Sequence, residues 1–199
     1  MSQERKSMLI VISGPSGTGK GTICARLLQE DPSLTFSVSA TTRYRRDNEI
    51  DGVHYHFISE EKYDQLLAED AFLEHATVHA HRYGTLKSQV QELMDKGLNV
   101  VLDIDPQGAK EVMRQRPDCV SIFMLPPSYD SLRVRLHTRN TDNATEIERR
   151  LGNARGEIEQ MHLYQYAVIN DDLDQAYRQV AAIIAAEKQR TTRYKPVIE

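Results

Sequence analysis

The chain has few cysteines, no polybasic run and no long apolar segment, and each absence excludes a class of protein. Only Cys24 and Cys119 occur among 199 residues, which predicts a reduced, cytoplasmic protein without a disulfide framework or zinc site. The net charge of −4, without clustered Lys and Arg, argues against nucleic acid as a partner. No apolar stretch approaches the roughly 20 residues that span a membrane, and residues 1–6 lack the apolar core of a signal peptide.

A glycine-rich loop follows the first apolar run of the chain. Residues 8–12 are all apolar and predict a buried parallel strand, while Ile23, Leu27 and Leu28 recur at helical spacing. Between them, the pattern G-x-x-x-x-G-K occupies Gly14, Pro15, Ser16, Gly17, Thr18, Gly19 and Lys20. Strand, glycine loop and helix together are the context in which this pattern binds nucleotide phosphates through backbone N–H groups, the helix N-terminus and lysine. The alternative is an ordinary glycine turn between a strand and a helix.

Buried strands alternate with helices along most of the chain. Apolar runs at 100–102 and 121–125 predict further strands, and Asp105 with Pro106 predicts a capped helix start. The fold class is therefore α/β, a P-loop parallel sheet with helices on both faces. Runs at 36–39, 55–58 and 72–78 are short and half-polar, which indicates a small mixed-sheet insertion. The expected boundaries are core 1–36, insertion 37–84, core 85–126, a helical segment 127–163 and core 164–199.

Arginines fall into two groups that a phosphate-transfer enzyme could use. One group lies at the start of the insertion, and the other lies on the predicted helices of segment 127–163. The first contains Arg43, Arg45 and Arg46, and the second contains Arg135, Arg139, Arg149 and Arg150. One interpretation is a solvated face; the other is two clamps, one on a phosphate-bearing acceptor and one on the transferring group.

Several further motifs resemble the guanylate kinase family in order and spacing. They are Ser37-Val-Ser-Ala-Thr-Thr-Arg43, Gly52-x-x-Tyr55-x-Phe57, Phe72-Leu-Glu74, Tyr83-Gly-Thr85, Leu102-Asp-Ile-Asp-x-Gln-Gly108 and Ile169-Asn-Asp-Asp172. The resemblance covers nearly the whole chain. It implies phosphoryl transfer from ATP to GMP with Mg²⁺ as cofactor, by a core, a nucleoside-monophosphate-binding insertion and a lid. The alternatives are a kinase of the same fold with another nucleoside monophosphate as acceptor, or an inactive GMP-binding or protein-binding module.

The resemblance also implies residue roles. The catalytic residues would be Lys20, Arg43, Arg135, Arg139 and Arg150. ATP would be bound by the glycine-rich loop with Gly21, Thr22 and Asn170. GMP would be bound by Ser39, Arg43, Arg46, Tyr55, Glu74, Tyr83, Thr85 and Asp103. The partners would be these nucleotides alone, with no nucleic acid and no membrane, in a monomer or small homo-oligomer.

Some positions depart from the family pattern, and others have a plainer interpretation. Gly21 stands where Ser or Thr usually holds Mg²⁺, so no direct side-chain ligand is assigned, and Thr22 and Asp103 are candidates through water. Arg45, Arg82 and Asn140 also depart from the pattern. From the residues alone, Glu74 is an exposed strand carboxylate, Asn170 a turn or cap residue, and Asp105 a helix cap. His75, His79 and His81 are interpreted as solvated or packed rather than as metal ligands.

Overall fold

The computed structural model describes residues 4–78, 81–138 and 144–196, and it has the mixed α/β architecture that the sequence predicts. The helices are α1 (Lys20–Glu30), α2 (Glu60–Ala68), α3 (Lys87–Asp95), α4 (Pro106–Gln115), α5 (Tyr129–Thr138), α6 (Ala144–Glu159) and α7 (Leu173–Glu187), with a 3-10 turn at Gln160–Leu163. The strands are β1 (Glu4–Arg5), β2 (Leu9–Ser13), β3 (Leu34–Phe36), β4 (Ala40–Thr41), β5 (His56–Phe57), β6 (Phe72–Val78), β7 (His81–Leu86), β8 (Asn99–Asp103), β9 (Val120–Leu125), β10 (Tyr166–Ile169) and β11 (Tyr194–Lys195).

A five-stranded parallel sheet forms the core, in the order β10-β9-β2-β8-β3. Strand β2 lies at its centre, and all five of its residues are buried. Because successive side chains of a strand point to opposite faces, Ile10 and Ile12 pack on the face covered by α1 and α7. Leu9 and Val11 pack on the other face, against α3 and α4. Helices on both sides explain why β2 is apolar throughout rather than alternating.

A second, mixed sheet has the order β5-β4-β7-β6. Strands β6 and β7 pair antiparallel, β4 pairs antiparallel with β7, and β5 is parallel to β4. Helix α2 covers this sheet, and the small core between them contains Ala40, Tyr63 and Phe72. The mixed sheet of the insertion is thus confirmed.

Local signals predicted several elements well. Strand β6 has the predicted bounds, and the predicted caps are present: Ser59 accepts a hydrogen bond from the Lys62 amide, and Asp105 accepts one from the Gly108 amide, with Pro106 at the first helical position. The predicted strand at 36–39 is wrong. Strand β3 follows β8 only as far as Phe36, and the chain then crosses to the second sheet, where pairing resumes at Ala40.

None of the helices in the described ranges combines the length and the apolar character that crossing a lipid bilayer requires.

Strand β7 was not predicted, because Arg82 and Gly84 interrupt any alternation of apolar and polar residues. The strand exists because β6 and β4 flank it on both sides.

A buried charge network attaches the C-terminal segment to the core. Glu187, 4% exposed, ends α7 and accepts a hydrogen bond from the Tyr166 hydroxyl at 2.6 Å. It also forms an ion pair with Arg193, whose second guanidinium nitrogen donates to the Asp118 carbonyl. Strand β11 begins next to Arg193 and pairs with β1. The network therefore helps to hold the N-terminal and C-terminal strands of the described chain against each other.

Replacing Glu187 by Ala is expected to lower the free energy of unfolding by about 3–5 kcal/mol, because Arg193 stays largely buried without its carboxylate. Urea unfolding followed by circular dichroism measures the change. The matched control is Glu92→Ala, which removes an exposed pair with Lys96 and should cost less than about 1 kcal/mol. Equal losses in the two variants would contradict a structural role for the buried network.

Candidate active site

The glycine-rich loop joins β2 to α1 at the carboxyl edge of the parallel sheet. Gly14, Gly17 and Gly19 have φ angles of 134°, 89° and 87°, in the left-handed region that side chains disfavour. Gly19 is the N-cap of α1 and has no side chain to occupy the first-turn N–H groups of the helix. These N–H groups and the positive end of the helix dipole therefore form an anion-binding site.

Lys20, the first residue of α1, folds back over the loop. Its Nζ donates to the carbonyl oxygens of Gly14 at 2.6 Å and Pro15 at 3.0 Å. Burial raises the pKa of Glu157 on α6, and the Lys20 charge opposes this shift, so the ammonium group lies within electrostatic reach of that helix. The arrangement brings a full positive charge to the mouth of the loop.

Asn170 follows β10 and packs directly against the loop. It is 4% exposed, and its side-chain amide donates to the Thr18 carbonyl at 2.8 Å. A Cβ at Gly19 would overlap this amide, so the close approach requires glycine. Arg135 on α5 donates to the backbone oxygen of Asn170 at 2.8 Å. A pocket of about 420 Å³ opens here, lined by Gly17, Gly19, Thr22, Val134, Arg135, Thr138, Asn170, Asp171 and Leu173.

Helix α6, which belongs to the predicted lid, reaches the loop from the other side. Arg150 on α6 donates from Nη1 to the Ser16 hydroxyl at 2.9 Å. A cleft of about 950 Å³ separates α6 from the start of α4 and Thr77 of β6, and Asp105, Arg149 and Glu157 are among the residues that line it. Arg139, His79 and Asn140 lie outside the described residues. Two of the three arginines predicted for the lid clamp therefore stand at the glycine-rich loop.

A cationic and aromatic cluster lies in the insertion. The Tyr55 and Tyr83 rings are 5.8 Å apart, and the Arg43 guanidinium lies 5.5 Å from the Tyr55 ring. Arg46 is exposed, in the same turn as Arg43. The structure thus brings the four predicted phosphate-binding residues of the insertion into one region.

Glu49 organises this cluster, and sequence analysis missed it. Its carboxylate accepts two hydrogen bonds from Arg43, at 2.6 and 3.0 Å, and a third from the Arg46 backbone amide at 2.8 Å. The hydrogen bonds from Arg43, and secondarily the one from the Arg46 amide, lower the pKa of Glu49 to about 2. The only signal in the sequence was a glutamate three residues after Arg46 in a polar segment, which is too common to single out.

Glu74 on β6 is buried, so its interpretation as an exposed strand carboxylate is wrong. It is 7% exposed, and Oε1 accepts a hydrogen bond from the Thr85 hydroxyl at 2.6 Å. A Cβ at Gly108 would stand 2.8 Å from Oε2, so the glycine at the start of α4 makes room for the carboxylate. Burial raises the pKa of Glu74, although the Thr85 hydrogen bond opposes the shift. A buried carboxylate can recognise hydrogen-bond donors.

Asp103 lies between the two halves of the site. It ends β8, is exposed, and lines a pocket of about 200 Å³ together with Ser39, Tyr55 and Thr85. On its other side, its Oδ2 is 3.5 Å from the position of a Cβ on Gly21 in α1. Among the described residues, no three His, Cys, Asp or Glu side chains group as a metal centre.

Comparisons with known proteins agree with this geometry. The family model described as guanylate kinase matches residues 6–187. A guanylate kinase of Clostridium perfringens is 47% identical over 193 residues, covering 97% of this chain and 89% of that protein. One of Caldanaerobacter subterraneus is 48% identical over 195 residues, covering 98% and 95%.

A solved structure gives the same result. The crystal structure of guanylate kinase from Anaplasma phagocytophilum has a TM-score of 0.76 and 31% identity, and the match covers 96% of this chain and 92% of that one. The fold and nearly the full length of the chain match proteins of one kind. The chain belongs to the guanylate kinase family.

Proposed function

We propose that this chain transfers the γ-phosphoryl group of ATP to GMP, giving ADP and GDP, and we assign the residues that do so. The observation that carries the assignment is the buried Glu74 carboxylate, held by Thr85 in the same insertion as the Arg43, Tyr55 and Tyr83 cluster. A base-recognising group and a phosphate-recognising group in one insertion suit a nucleoside monophosphate. The glycine-rich loop at the sheet edge suits the triphosphate donor.

The donor site consists of the loop residues 14–20, the start of α1 and the pocket beside Asn170. The N–H groups of the loop bind phosphate oxygens, and Lys20 leaves its two carbonyl partners to bind the outer phosphates. The pocket lined by Thr22, Arg135 and Asn170 takes the nucleoside of ATP. The Asn170 amide, which donates to Thr18, fixes the shape of this pocket.

The acceptor phosphate binds to Arg43, Arg46, Tyr55 and Tyr83. A guanidinium can bind a phosphate with two hydrogen bonds, so the arginines supply orientation as well as charge. Glu49 already holds one edge of Arg43 and the Arg46 backbone, which fixes both residues before GMP arrives.

Guanine is recognised by Glu74, with Thr85 and Ser39 beside it. Guanine offers two adjacent donors, N1–H and the 2-amino group, and one carboxylate accepts both. Adenine places an unprotonated N1 against the same carboxylate, leaving buried polar groups unpaired. A site of this kind rejects the wrong partner by roughly 10⁴-fold or more.

The transfer itself is a problem of positioning and charge. An oxygen of the GMP phosphate forms a bond to the γ-phosphorus while the bond from that phosphorus to ADP breaks, and Asp103 lies where the two substrates meet. The cations Lys20, Arg135 and Arg150 stabilise the charge on the transferring group, with Arg139 as a further candidate.

Mg²⁺ is the proposed cofactor, and the residues present fit it. The exposed Asp103 carboxylate faces the start of α1, and Mg²⁺ prefers carboxylate, water and phosphate oxygens. Asp103 and Thr22 would hold waters of the ion, which supplies charge neutralisation on the β- and γ-phosphates when bound.

We assign the protein to the cytoplasm, as a monomer or small homo-oligomer that acts in purine nucleotide metabolism. Its free cysteines, Cys24 and Cys119, are both buried, which suits a reducing compartment. Small nucleotides, not nucleic acid or membrane, are the partners in this proposal.

An ADP-release assay with GMP, AMP, CMP and UMP tests the acceptor assignment. Turnover with GMP in preference to the other three is expected. Glu74→Ala should lower kcat/KM for GMP by roughly 10²–10⁴-fold, because two hydrogen bonds to a charged acceptor are lost, while KM for ATP stays within about twofold. An unchanged preference for GMP over AMP would remove Glu74 from the base site.

The pH dependence of GMP binding isolates the same carboxylate. Since burial raises the pKa of Glu74 and only the ionised group accepts both guanine donors, GMP affinity should rise with pH through that pKa. KM for GMP is measured across the acidic range in the wild type and in Glu74→Gln, which cannot titrate. Identical pH profiles would show that another group controls binding.

Lys20→Ala should reduce kcat on the order of 10²–10³-fold, the usual cost of removing one group that stabilises transition-state charge. Steady-state kinetics at saturating ATP and GMP measure the change. Lys96→Ala, which removes an exposed lysine of the α3 C-terminus, is the control and should be nearly wild-type. A near-normal rate for Lys20→Ala would mean that the loop is not the donor site.

Gly21→Ser should lower the Mg²⁺ concentration needed for half-maximal activity. The structure leaves room for the side chain, since a Cβ at this position stands 3.5 Å from Asp103 Oδ2. One added polar contact predicts a shift of about threefold to tenfold. An unchanged Mg²⁺ titration would show that the missing hydroxyl does not limit metal binding.

A further inference from the structure

Arg82 on β7 is anchored by its side chain to helix α2. Its guanidinium lies 4.0 Å from the centre of the Tyr63 ring, and Nη1 donates to Asp64 at 2.6 Å and to Glu60 at 3.1 Å. Three residues of one helix therefore hold one arginine. The planar guanidinium can stack on the ring and bind both carboxylates at once, which lysine cannot do.

The backbone of Arg82 is hydrogen-bonded to Thr42, the residue that follows β4. Its amide donates to the Thr42 hydroxyl at 3.0 Å, and its carbonyl accepts from the Thr42 amide at 3.0 Å. Thr42 directly precedes Arg43. A displacement of Arg82 would therefore also displace Arg43, which we assign to the acceptor phosphate.

Tyr63 connects the same helix to Tyr83. Its hydroxyl donates to the Tyr83 carbonyl at 2.8 Å, and its ring, 1% exposed, stacks on Phe72 with 4.6 Å between centres. Burial raises the pKa of Tyr63 to about 12, so the hydroxyl keeps its proton and remains a donor.

Adjacent side chains of a strand point to opposite faces. Arg82 faces α2, and Tyr83 faces Tyr55, 5.8 Å away. We propose that Arg82 is a positioning residue for the acceptor: it fixes β7 against α2 and, through Tyr63 and Thr42, fixes Tyr83 and Arg43 at the spacing that the acceptor phosphate requires. The inference rests on the proposed function, because it concerns the same site.

The expected effect is on acceptor binding and not on chemistry. Within the described part of the chain, Arg82 makes its contacts with α2 and Thr42, and not with the glycine-rich loop, Lys20, Arg135 or Arg150. A displacement of about 1 Å in a binding group is enough to weaken binding measurably. KM for GMP should therefore change while kcat and KM for ATP do not.

The test compares Arg82→Gln with Arg116→Gln, which removes another partly exposed arginine that is paired with Asp118, away from the site. Both are assayed by ADP release, and their folding is checked by thermal unfolding. Arg82→Gln should raise KM for GMP roughly threefold to tenfold, with kcat and KM for ATP within about twofold of wild type. Arg116→Gln should leave all three constants unchanged.

Two further variants probe the connection. Tyr63→Phe removes the hydrogen bond to Tyr83 but keeps the ring, and should raise KM for GMP in the same way. The double variant Arg82→Gln with Tyr63→Phe should show less than the product of the single effects, because both act on one strand. Arg82→Lys keeps the charge, folds under the same conditions as wild type and should give an intermediate KM.

The outcomes separate this inference from the proposed function. A wild-type protein that does not turn over GMP overturns the proposed function itself. A wild type that is active with GMP, with KM for GMP within twofold of it in Arg82→Gln and Arg82→Lys, overturns the positioning role. Equal rises in KM for ATP and GMP also overturn it, since they would show general loosening of the fold.

Discussion

The parallel pairing of β2 with β8 and β9 is the constraint on which the site depends. Parallel strands end at one edge of a sheet, so the chain leaves β2 at Gly14 beside Asp103, the last residue of β8. Asn170 leaves β10 at the same edge and hydrogen-bonds the loop. The glycine-rich loop, the Asp103 carboxylate and the Asn170 amide therefore lie close together without long connecting loops. The buried apolar strands from which they extend fix their positions.

The second sheet and helix α2 hold the charged side chains of the insertion in fixed positions. Two of its arginines have partners of opposite sign: Glu49 pairs with Arg43, and Glu60 and Asp64 of α2 pair with Arg82. The buried Glu74 carboxylate instead accepts a hydrogen bond from the Thr85 hydroxyl. In the proposed function, this insertion supplies one buried acceptor for the base and fixed cations for the phosphate.

Local features were readable from the sequence, and distant ones were not. Strand, glycine loop and helix at residues 8–30 form a continuous segment, so spacing alone predicted them. The burial of Glu74 depends on Gly108, 34 positions away, and Glu49 is recognisable only through its contacts. The role proposed for Glu74 rests on the resemblance to a family, because the residue pattern alone indicates no role. Strand β7 was missed because its neighbours, not its own pattern, make it a strand.

The two cysteines are buried, and this burial controls how fast their thiols react. Cys24, 0% exposed, lies on α1 directly beyond the loop, and Cys119, 3% exposed, precedes β9. Burial raises the pKa of both thiols, to about 11 for Cys119. Because the thiolate is the reactive form, a thiol reagent modifies either residue only when its part of the core opens. The rate of thiol labelling therefore measures how often the nucleotide-binding core opens locally around each cysteine. The two cysteines lie on opposite faces of the central sheet, so they report on the two faces separately.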